Sequence, residues 1–168
     1  MPEFQHVKTS FSDEAAVSAD DWMTGAADWA EHVNFFIETL PLKCTKSVYA
    51  PGMKKGQFPL TRHVTVDKSV LSKEEAAALP DVFPETLVWM DAAAHMLLYR
   101  IEGEPWGMRN YFAFNEVEPL GPNTCKVTFS SRFDLPKEIP ADAFLPGFHT
   151  AYKAMIAGIA NYAKSKKK

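Results

Sequence analysis

The 168-residue chain has only two cysteines, Cys44 and Cys125. That is too few for a disulfide scaffold, so free thiols in a reducing compartment are expected. No stretch approaches the roughly 20 consecutive apolar residues of a membrane span. Nor does a charged segment followed by an apolar one open the sequence as a secretory leader would. Positive charge is not in excess: 18 Lys and Arg stand against 21 Asp and Glu, a formal charge of −3. A nucleic-acid-binding domain is normally basic, so no nucleic-acid partner is expected. The only basic cluster closes the chain, and residues 165–168 are expected to form a disordered, solvated tail. His6, His32, His63, His95 and His149 show no paired spacing with Cys, Asp or Glu of the kind a metal site uses. A nucleophile elbow and a phosphate-cradling glycine loop are also missing, so neither metal nor cofactor is expected. The expectation is a soluble cytosolic protein.

What is present is an ordinary globular composition, 46% apolar and 23% charged. The length suits one domain, spanning 1–168, with a real core. Residues 4–11 alternate as a first strand. Ser18 then opens a helix, its hydroxyl placed to cap the amide of Asp21, with Asp20 and Asp21 where the helix dipole favours negative charge. Trp22, Ala26, Trp29, Val33 and Phe36 recur at three and four residues and form one apolar stripe. Gly25 is expected to break that run into two short helices, and Pro41 to stop it. Strands follow at 42–49 and 57–67, separated by a Pro51-Gly52 turn. Residues 69–84 read as an insertion with a small helix, Ser72 and Glu75 standing in capping-box register. Four more strands fall at 85–91, 95–103, 108–118 and 124–134. A helix from about 141 to 164 closes the chain, striped with Phe144, Leu145, Phe148, Tyr152, Met155, Ile156, Ile159 and Tyr162.

Four stretches carry a family likeness: PG…G…TRHVTV leading into the third strand, LLYRIEG, the P-x-G-x-R-N-Y segment that begins at Pro105, and SSRFDLP before the last helix. With this element order, nearly the whole chain resembles the START-like, Bet v 1-like (SRPBCC) superfamily, closest to its polyketide cyclase/dehydrase-like branch. The resemblance implies an α+β helix-grip fold: a curved seven-stranded antiparallel sheet around a long C-terminal helix, with two short helices after the first strand. It also implies an internal cavity for a small hydrophobic molecule, lipid-, polyketide- or phenol-like. Members include lipid and hormone carriers, aromatase/cyclases, quinone-binding proteins and cochaperones. Three functions therefore stand: binding of such a molecule, a cyclase or dehydratase acting on an aromatic or polyketide-like substrate, and a protein-interaction module. Likeness to hormone-receptor relatives places the 68–84 insertion and the 102–108 turn at the cavity mouth, with Trp106 as a lid residue.

Strand parity nominates the side chains that face the cavity. In the seventh strand Val127, Phe129, Ser131 and Phe133 share the inward face, and in the fifth His95, Leu97, Tyr99 and Ile101 do. In the sixth, Tyr111 is taken as inward because the family carries a tyrosine there. In the third, Arg62 shares its parity with Phe58, Leu60, Val64 and Val66. An unpaired guanidinium withdrawn from water costs several kcal/mol, so Arg62 requires a partner. That partner is either the carboxylate or phenolate of a ligand or Glu85 on the next strand. Tyr99, Tyr111, Ser131 and Tyr152 carry hydroxyls that either orient a ligand or satisfy backbone and water. Trp89 and Trp106 read as packing, rim or stacking residues. Phe148 and Met155, on the apolar face of the last helix, complete the candidate ligand-binding set. No catalytic constellation is legible, and His149 is the one histidine kept as a possible general base.

Overall fold

The computed structural model describes residues 2–168. Strand β1 (Phe4–Ala15) leads directly into two short helices, α1 (Ala19–Ala27) and α2 (Glu31–Phe36). Ser18 caps α1, its Oγ accepting from the amide of Asp21 at 3.2 Å. The break between the helices falls at residues 28–30, not at Gly25. Gly25 lies inside α1, where a Cβ would stand 3.1 Å from the main-chain oxygen of Ile159. Close approach of two helices, rather than a need for flexibility, accounts for glycine there.

The remaining elements are β2 (Cys44–Tyr49), β3 (Leu60–Val66), α3 (Lys73–Ala78), β4 (Val82–Asp91), β5 (Met96–Ile101), β6 (Arg109–Gly121), β7 (Thr124–Pro136) and α4 (Ala141–Ser165). The strands form one seven-stranded sheet in the order β1-β7-β6-β5-β4-β3-β2, antiparallel throughout. α4 packs against α1, α2 and β1, so the helices close over one face of the sheet. This is the helix-grip arrangement. Trp22 pins α1 to α4 by donating its indole N–H to the carbonyl of Ile156 at 3.1 Å. The insertion helix α3 carries a complete capping box: Ser72 Oγ accepts from Glu75 N, and Glu75 Oε2 accepts from Ser72 N.

Two inward assignments do not hold. β3 begins at Leu60, and Phe58, outside the ladder, is 50% exposed. His95 sits in the β4–β5 turn with φ +55°, its Nε2 2.7 Å from Asp20 Oδ1, rather than in the strand. Elsewhere in β3 and β7 alternation is clean, with Leu60, Arg62, Val64 and Val66 buried on one and Val127, Phe129, Ser131 and Phe133 on the other. Lys167, just beyond α4, reaches back to Asp21, its Nζ 2.6 Å from Oδ2. Among the described residues no helix is long and apolar enough to cross a membrane.

Candidate functional site

Between the inward face of β3–β6 and α4 lies a cavity of about 390 Å³. Its helical wall is thin because Ala143, Gly147 and Ala151, four residues apart and therefore on one face, line it. A Cβ added to Gly147 would meet nothing within 4 Å. Phe148, Tyr152 and Met155 complete that wall. At the mouth, Leu71 and Leu79 of the insertion oppose Pro105 and Trp106 of the β5–β6 turn. The Trp106 ring meets Phe144 of α4 edge-on at 5.7 Å. That turn is tightly coiled: Gly103, Glu104, Trp106 and Gly107 all have positive φ.

The far end of the cavity is polar. Arg62, held inward by β3, is only 2% exposed. Its Nε donates to Oε2 of Glu85, its register partner on β4, and its Nη2 stands in ion-pair contact with the same oxygen. Its Nη1 donates to the carbonyl of Trp29 at 2.5 Å and to Nε2 of His32 at 3.0 Å. The Trp29 ring lies beneath the guanidinium, 3.8 Å from centroid to Cζ, and its indole N–H holds the carbonyl of Glu85. His32 Nδ1 faces the carbonyl of Gly25 at 3.2 Å, which fixes the proton on Nδ1 and leaves Nε2 as the acceptor for Arg62. Burial first, and the neighbouring Arg62 second, push the His32 pKa well below its usual value, so this ring is neutral. The cluster is thus one compensated ion pair and one neutral imidazole. Arg62 takes Glu85 as its partner, and its Nε and Nη1 make three hydrogen bonds inside the protein.

Both partners line the cavity, and the Glu85 side chain is the more exposed of the two, 11% against 2% for Arg62. The Nε hydrogen bond and the Nη2 ion contact both fall on Oε2, and Oε1 takes none. The only sealed polar side-chain atoms without a partner among the described residues are Ser47 Oγ and Asn115 Oδ1, so Glu85 Oε1 is open to the cavity it lines.

Beside this pair runs a chain of hydroxyls. Tyr99 Oη lies 3.2 Å from Tyr111 Oη, which lies 2.8 Å from Tyr152 Oη, which lies 2.6 Å from Ser131 Oγ. Three strands and α4 each contribute one member. Burial raises the pKa of Tyr99 and Tyr111 well above the phenol range, and that of Tyr152 to about 12. All three stay protonated as hydrogen-bonding phenols. Cys44 also lines the cavity, but burial, followed by the Glu85 charge, pushes its thiol up to about 12, which makes it a poor nucleophile.

Of the residues nominated from the sequence, the cavity brings together Arg62, Glu85, Tyr99, Trp106, Tyr111, Phe148, Tyr152 and Met155. Phe129 and Ser131 lie one layer behind: Phe129 stacks on Tyr152 at 5.0 Å, and Ser131 ends the hydroxyl chain. Trp89 is not in the cavity. A bulge between Leu87 and Trp89 shifts the β4–β5 register, so Leu87 is fully buried while Trp89 turns outward and is 43% exposed. His149 is likewise outside the cavity, bound through Nε2 to Thr9 Oγ1 at 2.7 Å. The residues missed are Trp29 and His32. Their place on the apolar stripe of α1–α2 marks them as core, and nothing local reveals that they support Arg62. Among the described residues no group of three or more His, Cys, Asp and Glu stands together as a metal site needs.

No protein family matches the chain by sequence, and no curated protein does. Solved structures do match it in shape. Norcoclaurine synthase from Thalictrum flavum, in complex with dopamine and hydroxybenzaldehyde, superposes with a TM-score of 0.68 at 16% identity, over 98% of this chain and 90% of its own. The Zhui aromatase/cyclase from Streptomyces sp. R1128 gives 0.67 at 13% identity, over 99% and 97%. An uncharacterized protein from Bacillus thuringiensis gives 0.61 at 18% identity, over 89% and 96%. The chain has the helix-grip fold of the Bet v 1-like and polyketide cyclase-like proteins; at these identities the likeness speaks for the fold alone.

Proposed function

We propose that this helix-grip protein binds a small, largely apolar molecule in the cavity between sheet and α4, with the molecule's polar end toward Glu85 and Tyr99. The observation that carries the reading is the open cavity of about 390 Å³, apolar along most of its wall and polar at one end. Such a shape, concave and mostly apolar with a few convergent polar groups, suits small-ligand binding. An interaction module that had lost its ligand would instead be expected to fill this space with its own side chains. The test is to extract protein purified from its host with organic solvent and to identify co-purifying small molecules by mass spectrometry, beside the Gly147→Leu variant. A stoichiometric species present in the parent and absent from the variant supports the reading. Parent protein that carries nothing and gains no thermal stability from any of a panel of apolar molecules overturns it.

A second reading, turnover by a cyclase or dehydratase on an aromatic or polyketide-like substrate, draws on one observation. The hydroxyls are not scattered but joined into one chain beside a carboxylate. Pre-oriented donors and a carboxylate at one point are what proton-transfer chemistry on a bound carbonyl compound requires. Incubating the extracted molecule, or its open-chain precursor, with the protein and following loss of water by mass decides it. An unchanged mass over many equivalents rules turnover out.

A further inference from the structure

Two groups at the polar end of the cavity have no protein partner. On the reading that the cavity holds a small apolar molecule, they together specify the end of the ligand that reaches them. One group is Glu85 Oε1, an acceptor open to the cavity while Oε2 takes both Arg62 contacts. The other emerges from counting protons. Tyr99, Tyr111, Tyr152 and Ser131 carry four hydroxyl protons, and the three links between them use three. Ser131 is buried, with no hydrogen bond beyond that to Tyr152. A chain directed toward the serine would therefore strand a donor in the core, which costs about 1–3 kcal/mol. Every other arrangement leaves the unused proton on Tyr99, Tyr111 or Tyr152, all three of which line the cavity.

Tyr99 and Glu85 are diagonal neighbours on adjacent strands, Tyr99 standing opposite Leu87 and Glu85 opposite Ile101. Of the three phenols, Tyr99 is the one on the strand paired with that of Glu85, so the cavity offers one acceptor and one donor from neighbouring strands. It offers no net charge there, because Arg62 and Glu85 compensate each other and His32 is neutral. Glu75, the other charged residue along the lining, is exposed at the mouth and engaged in the α3 capping box.

We propose that the polar end of the ligand is a neutral hydroxyl, a phenol or an alcohol, donating to Glu85 Oε1 and accepting from Tyr99. The alternatives each leave something unpaired. A carboxylate has no proton for Glu85 and is repelled by it. An ammonium has no lone pair for Tyr99 and adds a charge to a site already neutral. A ketone accepts from Tyr99 but leaves Glu85 Oε1 without a donor. Arg62 is then a positioning residue that holds the carboxylate, not the anchor of an anion.

The test uses three probes that share one ring system: a naphthol, the matching naphthoate and the matching naphthylmethylammonium, titrated calorimetrically into the full chain near neutral pH. The naphthol is expected to bind at least about tenfold more tightly than either charged probe, the equivalent of about 1.4 kcal/mol. Tyr99→Phe removes the donor and is expected to weaken the naphthol by about the same factor. Glu85→Gln frees Arg62 as an unpaired cation, and the naphthoate is expected to overtake the naphthol there. Should that variant fail to fold, the parent panel and Tyr99→Phe still decide. Tighter binding of naphthoate or ammonium than of naphthol by the parent overturns the hydroxyl assignment and leaves the cavity reading standing. Absence of binding by all three overturns both.

Discussion

Gly158 of α4 stands so close to Phe36 of α2 that a Cβ at position 158 would fall 2.2 Å from the ring. Phe36 in turn stacks on His32 at 5.9 Å, nearly parallel, and lines the cavity. The missing methyl group on one helix therefore seats a ring that backs the Arg62 cluster. Alanine is favoured over glycine in a helix by about 0.8–1.0 kcal/mol. Gly158→Ala is nonetheless expected to destabilise the protein by about 1–3 kcal/mol through overpacking. Pairing it with Phe36→Leu should recover much of the loss. Urea denaturation of the two single variants and the double checks this, and a stabilised Gly158→Ala would contradict the packing.

Position 147 on the same helix behaves oppositely, because it faces empty space. Gly147→Ala is expected to stabilise by about 0.5–1 kcal/mol, helix propensity acting alone. Gly147→Leu should fold as well as the parent while weakening ligand binding, since it adds bulk at an exposed position that lines the cavity. Thermal melts and probe titrations on both variants separate the two effects.

The Arg62–Glu85 pair should show the signature of a buried ion pair. Either Arg62→Ala or Glu85→Ala alone strands a charge and is expected to cost about 3–5 kcal/mol. Replacing both, as Arg62→Met with Glu85→Leu, should cost less than either single change. A double-mutant cycle by denaturant unfolding measures the coupling, and simple additivity would mean that the pair is not a unit.

Because His32 titrates well below 6.5 in the folded protein, pulled down by burial and then by Arg62, it ties stability to pH. The unfolded chain takes up a proton on this ring near its ordinary pKa while the folded chain does not. Stability is therefore complete above about 6.5 and falls as the pH drops below it, by at most about 1.4 kcal/mol per pH unit. His32→Gln, which can still accept from Arg62, should flatten that limb. Urea midpoints between about pH 7 and 5 test it, ahead of the range where carboxylates titrate.

In β3 and β7 the period-two pattern alone identifies the inward set, because each strand packs one face on the core and every second residue answers to it. Arg62 stands out for the same reason, as a cation in an apolar row. Trp89 misleads because a bulge, which no local pattern announces, inverts parity after Leu87. Phe58 misleads because alternation continues past the point where the ladder ends. Gly25 invites a reading as a helix breaker, and only the approach of α4 reveals it as a spacer. Trp29 and His32 are invisible as site residues because their role is to contact Arg62 from about 30 residues away in sequence. The hydroxyl chain is legible as four candidate residues but not as a chain, since its links join β5, β6, β7 and α4.

The placement of the tryptophans makes the cavity self-reporting. Trp29 lies under the Arg62 guanidinium with its ring tilted against Tyr99 at 5.3 Å, while Trp106 sits at the mouth against Phe144. Trp22 is buried against Phe129, and Trp89 is on the outer surface. Indole emission shifts with the polarity and charge around the ring, so occupancy of the inner end and movement at the entrance should appear as separate optical signals. With Trp89→Phe to remove the solvent background, single-tryptophan versions would track a molecule entering and settling without any label attached to it.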